Sequence, residues 1–219
     1  NITRTKNKKY ESIEIKKFCK LIDQVAKYNF IPITIGGKIK KLSQIYKYLE
    51  RGADKISINS GAFEKKDLIK NAAKEFGSQC IVVSIDVKKI KGEYKVFIKN
   101  GSVNTNMKLE NWVNIVQSEG AGEILINSID RDGSKKGYDF KIIDKIKNQI
   151  KVPIIFCGGV GHWKDFKMAL NKKEIDAVAA ANIFHHFDQS DYLAKDYLIK
   201  HKIKNIRPPQ FFKNPWKKK

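Results

Sequence analysis

Long apolar runs are missing from these 219 residues, and none approaches the roughly 20 uninterrupted apolar residues that a membrane-spanning helix needs. Cysteine is scarce. Cys19, Cys80 and Cys157 cannot all pair and have no metal-ligand spacing, which argues against a disulfide scaffold and against a metal centre and fits a reducing cytosol. Arginine is nearly absent, with only Arg4, Arg51, Arg131 and Arg207 among 44 basic residues. Proteins that read nucleic-acid grooves lean on the bidentate arginine fork, so the net charge of +21 reads as a solvated lysine surface rather than a nucleic-acid interface. The lysines scatter along the chain except in the tail 208–219. That tail is broken by Pro208, Pro209 and Pro215 and is expected to be loosely ordered, with a weak attraction for polyanions. The first residue is Asn1 rather than Met, so the start is expected to have been lost. No apolar core follows it, which suggests a cytoplasmic protein. What remains is 42% hydrophobic and 31% charged, the balance of a folded globular protein.

Short β-rich runs alternate with helical patterns. Strands are expected at residues 31–35, 55–59, 81–87, 123–129, 152–156 and 176–181. Between them Leu42, Ile45, Tyr46 and Leu49, then Ile142, Ile143 and Ile146, then Phe166, Met168 and Ala169 recur at helical spacing. Near-continuous apolar strands separated by helices imply a parallel sheet covered on both faces. One segment, 93–101, alternates and ends in Asn100-Gly101, the mark of a hairpin inserted after the 81–87 strand. An internal repeat selects among α/β folds. Ile31-Pro-Ile-Thr-Ile-Gly-Gly-Lys38 matches Val152-Pro-Ile-Ile-Phe-Cys-Gly-Gly159, and Ala53-Asp54 with its strand matches Ile175-Asp176 with its own. Two such half-barrels build a (β/α)8 barrel of the TIM type, expected here as a single domain over residues 1–207. The second copy has two strands before its Val-Pro strand, whereas the first has only a helix and the stub Asn1-Ile2-Thr3. By that arithmetic the first strand-helix unit and most of the second strand are missing. The chain as given is then expected to be inactive and poorly soluble, because an unclosed barrel exposes strand edges.

Barrel enzymes build their sites at the C-terminal ends of the strands. There the sequence places Gly36-Gly37 with Asn59-Ser60 in one copy, and Gly158-Gly159 with Ala181-Asn182 in the other. Glycines entering a helix let backbone N–H groups approach an anion, so the two sets suggest two phosphate grips and a ligand phosphorylated at both ends. The plainer alternative is that these glycines only turn the chain. Asp86, at the end of an apolar strand, is a candidate general acid/base, against the alternative of an N-cap or a salt bridge to Lys88 or Lys89. The loop 129–134 offers Asp132 as a second carboxylate and Gly133 as a phosphate donor, against an ordinary Asp-Gly turn. His185 and His186 are adjacent, share no helix face and suggest no metal. His162 reads as a helix-start residue. At the opposite strand ends Lys55 and Glu123 suggest a salt bridge that either stabilises the fold or gates a passage.

Together, residues 51–60, 76–79, 82–86, 120–125, 128–133 and 182–185 resemble the cyclase subunit of imidazole glycerol phosphate synthase. The resemblance covers nearly the whole chain. It implies an ammonia-using lyase/cyclase of histidine biosynthesis that converts a phosphoribulosyl-formimino aminoimidazole carboxamide ribotide, bearing two phosphates, into imidazole glycerol phosphate and aminoimidazole carboxamide ribotide. A glutaminase partner would dock at the N-terminal face of the strands and supply the ammonia, and no cofactor is implied. By the same resemblance Asp86 is one of two acid/base aspartates, the other lying in the missing strand, and Asp132 is a carboxylate at the mouth. Gly37, Lys38, Asn59, Ser60, Asn127, Gly133, Gly158, Gly159, Ala181 and Asn182 would bind substrate and its phosphates. Lys55 and Glu123 would belong to an ammonia gate.

Several residues depart from that family pattern. Lys38 stands where a third glycine is usual, although its ammonium can reach the same phosphate. Asn127 and Cys157 stand at mouth positions where hydroxyl residues are common, Asn182 replaces a Ser, and Asn1 stands at an expected strand-end aspartate. Asn and Cys at two of these places are similar to a paralogous group that uses glutamine-derived ammonia to amidate surface-polysaccharide sugars, which is the alternative acceptor chemistry. A basic nucleic-acid-binding protein or a decayed, non-catalytic scaffold is the third reading.

Overall fold

A computed structural model describes residues 8–185 and 190–208, so the stub before residue 8, His186 and the tail beyond 208 lie outside the described residues. The chain forms two compact units. One comprises Asn1–Ser84 with Ile115–Glu123, the other Ile85–Asn114 with Ile124–Lys219. Among the described residues no helix is long and apolar enough to cross a membrane.

In the first unit, helix α1 (Lys8–Tyr28) leads through an exposed Phe30-Ile31 segment into strand β1 (Thr34–Gly36), helix α2 (Leu42–Leu49), strand β2 (Lys55–Ile58), the short α3 (Ser60–Glu64) and α4 (Leu68–Phe76). The next strand, β3 (Ile81–Ile90), begins here and passes into the second unit after Ser84. All pairings are parallel, with Thr34 opposite Lys55 and Ile56 opposite Ile81. The helical spacing of α2 is met in part, for Tyr46, expected on its apolar face, is exposed and Tyr48 is buried instead. Ile45 and Tyr48 are buried, and Phe18 of α1 packs edge-on against the Tyr48 ring at 5.8 Å. Leu68, Ile69 and Ala72 do the same for α4.

The second unit continues β3 and adds β4 (Glu93–Ile98), β5 (Val103–Lys108), the start of α5 (Leu109–Ser118), most of β6 (Glu123–Ser128), α6 (Phe140–Ile146), β7 (Ile154–Cys157), α7 (Trp163–Leu170), β8 (Ala177–Ala179) and α8 (Ser190–Lys200). β6 and β7 are parallel with Ile124 opposite Ile154, and β7 and β8 are parallel with Ile155 opposite Ala177. The inserted hairpin is present but larger than the sequence suggests. β3, β4 and β5 form an antiparallel three-strand meander, turning at Lys91-Gly92 and again at Asn100-Gly101. β3 therefore runs on to Ile90 rather than stopping near Asp86, because antiparallel pairing with β4 carries its backbone past the end of the parallel region.

The repeat is written in the hydrogen bonds. In the first unit Asp54 Oδ2 accepts from the Ile33 N–H at 2.7 Å, and its own N–H donates to Ile33 O at 2.9 Å. In the second, Asp176 Oδ2 accepts from the Ile154 N–H at 2.9 Å and its N–H donates to Ile154 O at 3.0 Å. The same aspartate clamps the same Pro-Ile strand entry in both copies. Parallel strands alternating with helices make the chain an α/β protein, and the duplicated strand-helix units are those of the TIM-type barrel class.

One expectation needs correction. The sheet is not covered equally on both faces: burial alternates along β2 (Lys55, Ser57 half-buried; Ile56, Ile58 buried) and along β6 (Glu123, Leu125, Asn127 half-buried; Ile124, Ile126, Ser128 buried). The buried residues face the helices. The other face is partly open and polar, and it looked continuous in the sequence because Leu125 and Ile155 share it with charged and amide side chains.

Candidate functional site

The open strand face carries the candidate site residues. In the second unit they form a row across neighbouring strands: Asp86 on β3, Asn127 on β6 and Cys157 on β7, with Cys157 opposite both Asn127 and Ala179 of β8. Period-2 alternation puts them there, since each follows a residue buried against the helices. Asn127 Nδ2 donates to Asp86 Oδ1 at 3.2 Å. Asp86 lies within the strand and is not an N-cap. The Cys157 thiol is pushed up to about 11, first by burial and then by the nearby Asp132 and Asp86 carboxylates, partly offset by a hydrogen bond from the Gly158 backbone. Asp86, Asn127, Asp132 and Cys157 are thus gathered into one neighbourhood. Cys157 was noticed in the sequence only as a departure. The signal for its place was the β7 alternation itself.

Residues 129–134 are anchored as a compact turn. The Ile129 N–H donates to Val87 O at 2.9 Å, Asp130 Oδ2 accepts from the Lys89 N–H at 2.8 Å, and the Arg131 and Asp132 N–H groups both donate to Ser128 O. Asp130 therefore ties the turn to β3, while Asp132 and Gly133 are exposed at its tip. Tyr138, which the sequence reading passed over, is buried against the Phe156 ring at 5.1 Å and donates its hydroxyl to Ala179 O at 3.3 Å. Burial raises its phenol far above the ordinary range, so it acts as a neutral brace.

The two glycine sets differ in why they are glycine. Gly159 has φ +103°, and a Cβ there would lie 2.3 Å from Gly137 O, so packing alone forbids a side chain. Gly37 has φ +112° and open space where a side chain would sit. Close packing accounts for the first; an exposed loop open to an approaching group accounts for the second. Lys38 follows with φ +54°, a left-handed conformation that a lysine adopts at a cost. In the same unit Asn59 precedes α3 and Ser60 is its first residue. In the second unit Ala181 and Asn182 are exposed, and Asn182 opens the 3-10 turn Asn182–His185. His162 is the N-cap of α7: its Nδ1 accepts from the Lys164 N–H at 3.1 Å, and Asp165 Oδ2 accepts from the Gly161 and His162 N–H groups. The N–H groups of Gly161, His162 and Lys164 at the start of α7 are thus satisfied within the turn.

At the other end of the strands, Lys55 of β2 and Glu123 of β6, both in the first unit, form a direct, half-buried ion pair. Among the described residues no cluster of histidine, cysteine and carboxylate side chains suits a metal ion.

Residues 13–190 match the family described as "Histidine biosynthesis protein". The chain is similar to proteins named "Imidazole glycerol phosphate synthase subunit HisF". One, from Natranaerobius thermophilus, is 44% identical over 178 residues, covering 81% of this chain and 71% of that protein. Another, from a Hydrogenobaculum species, is 43% identical over 204 residues, covering 93% and 79%. A third, from Sulfolobus acidocaldarius, is 44% identical over 186 residues, covering 83% and 74%.

Proposed function

The chain belongs to the histidine biosynthesis protein family, and from that membership we propose that it is the cyclase subunit of an imidazole glycerol phosphate synthase. Its substrate is then the doubly phosphorylated phosphoribulosyl-formimino aminoimidazole carboxamide ribotide. Ammonia is the co-substrate, and imidazole glycerol phosphate and aminoimidazole carboxamide ribotide are the products. The observation that carries the reading is Asp86, a carboxylate on the open strand face, held by Asn127 and gathered with Asp132. Forming carbon–nitrogen bonds from ammonia and releasing the ribotide both require protons to move, and a carboxylate placed at the reacting centre can accept and return them. Asp86 takes that role, and Asp132 is the second carboxylate.

Each unit carries its own set of anion donors. In the first, Gly37, Lys38, Asn59 and Ser60 grip one phosphate. In the second, Gly133, Gly158, Gly159, Ala181 and Asn182 grip the other, through backbone N–H groups and short polar side chains. The relatives are named as subunits, which supports a partner, and the partner of the proposed reaction is a glutaminase that supplies ammonia at the N-terminal strand ends. Lys55 and Glu123, paired there, act as part of the gate through which ammonia passes. A cytoplasmic location follows from this role.

The test is turnover of the ribotide by the full-length gene product with an ammonium salt, followed by release of imidazole glycerol phosphate. Failure of a folded full-length protein to turn over the ribotide would overturn the assignment. The acceptor would then be the amidated surface sugar of the paralogous group.

A further inference from the structure

Asn127 invites a role in gripping substrate, but its amide is oriented for something else. Its nitrogen donates to Asp86 Oδ1 at 3.2 Å. The other end is closed off: Asn127 Oδ1 is buried and without a hydrogen-bond partner among the described residues. Gly158 presses against it, since a methyl group there would lie 3.0 Å from that oxygen. An amide that served a phosphate or a sugar would keep its free end open to them, and a sealed, unpartnered acceptor is costly. Rotating the amide would worsen matters. Its oxygen would then face the Asp86 carboxylate, setting an acceptor against an acceptor. The donor end on Asp86 is what accounts for asparagine at this position.

We infer that Asn127 is a positioning residue that fixes the rotamer of the Asp86 carboxylate, rather than a phosphate ligand. The inference rests on the reaction proposed above and deepens it. A proton-transferring carboxylate must meet the reacting atom at hydrogen-bond range, and a displacement of about 1 Å costs on the order of 10²-fold in rate. Cys157, the neighbour across from Asn127, does not substitute. Its thiol is pushed up to about 11, chiefly by burial, and stays neutral.

A kinetic double-mutant cycle in the full-length protein, with the ribotide and ammonium salt, tests this. Asn127→Leu keeps the shape and removes the donor. It should lower kcat by about 10- to 100-fold while KM moves by less than about threefold. Asn127→Thr supplies a hydroxyl donor and should recover most of the loss. In an Asp86→Asn background, Asn127→Leu should cost almost nothing further, because its effect runs through the carboxylate. A loss that adds in full to that of Asp86→Asn, or one that falls mainly on KM, would overturn the inference. If Asp86→Asn alone leaves turnover intact, the fault lies instead with the reaction assigned to the site.

Discussion

In the proposed reaction Asp86 is the residue on which the chemistry turns. Replacing its carboxylate with an amide keeps the shape and the neighbour but removes the proton acceptor. Asp86→Asn in the full-length protein is expected to leave ribotide binding nearly unchanged and to lower kcat by about 10²- to 10⁴-fold. Steady-state kinetics with a direct binding measurement separates the two, and a near-normal kcat would remove Asp86 from the mechanism. Lys38 is the other informative residue. It holds a left-handed backbone at φ +54°, beside a glycine with open space around it. Lys38→Gly relieves that strain at some cost in unfolded-chain entropy, so stability should rise by up to about 1 kcal/mol. Affinity for the bisphosphorylated substrate should fall several-fold in the same variant. Melting temperature and KM report the two effects, and a variant that gains stability without losing affinity would show that the ammonium does not touch the phosphate.

Among the elements, the β3–β5 meander has a built-in acid sensitivity. Glu93 lies between Lys95 and Lys108, at 2.8 and 2.5 Å. Lys108 first and Lys95 second hold its carboxyl down at about 2, against an ordinary 4.5. Folded Glu93 releases its proton more readily than unfolded Glu93, so its contribution is complete above about 4.5 and vanishes as pH falls through about 2. The stability difference between the wild type and Glu93→Gln should close across that window. Denaturant midpoints at neutral and at low pH measure it, and added salt should shrink the difference because the group is exposed. A second element-level test concerns the turn after β7. Gly159→Ala would drive a methyl to 2.3 Å from Gly137 O at positive φ, and destabilisation of about 1–3 kcal/mol is expected from overpacking. A neutral effect in thermal melting would mean that the two turns are not in contact in solution.

At the scale of the whole molecule, the proposed enzyme has two sources of nitrogen, and the Lys55–Glu123 pair should distinguish them. If the pair gates ammonia, Lys55→Met should lower glutamine-driven turnover with the glutaminase bound. Ammonium-driven turnover should stay within about twofold, because ammonium enters from bulk solvent. Assaying both nitrogen sources on one preparation decides between this and a purely structural pair, whose loss would depress both together. The net charge of +21 needs no further function in this account, since the lysines are dispersed over the chain.

Local rules make much of this legible in the sequence. Period-3.6 spacing located α2, α6 and α7, and β-rich runs located the parallel strands to within a few residues, because those patterns follow from how a helix and a strand present side chains to a core. The repeat Ile31-Pro/Val152-Pro and the aspartates twenty-odd residues later were visible as letters. Their shared meaning, a carboxylate clamping a strand entry, was visible only as hydrogen bonds between segments distant in sequence. The same division holds at the candidate site. Its residue types and strand-end positions could be listed from the sequence, since alternation and turn chemistry are local. That Asn127 spends its amide on Asp86, that burial and two carboxylates surround Cys157, and that Gly159 is glycine for want of room were decided by tertiary packing, because each depends on which strand lies beside which.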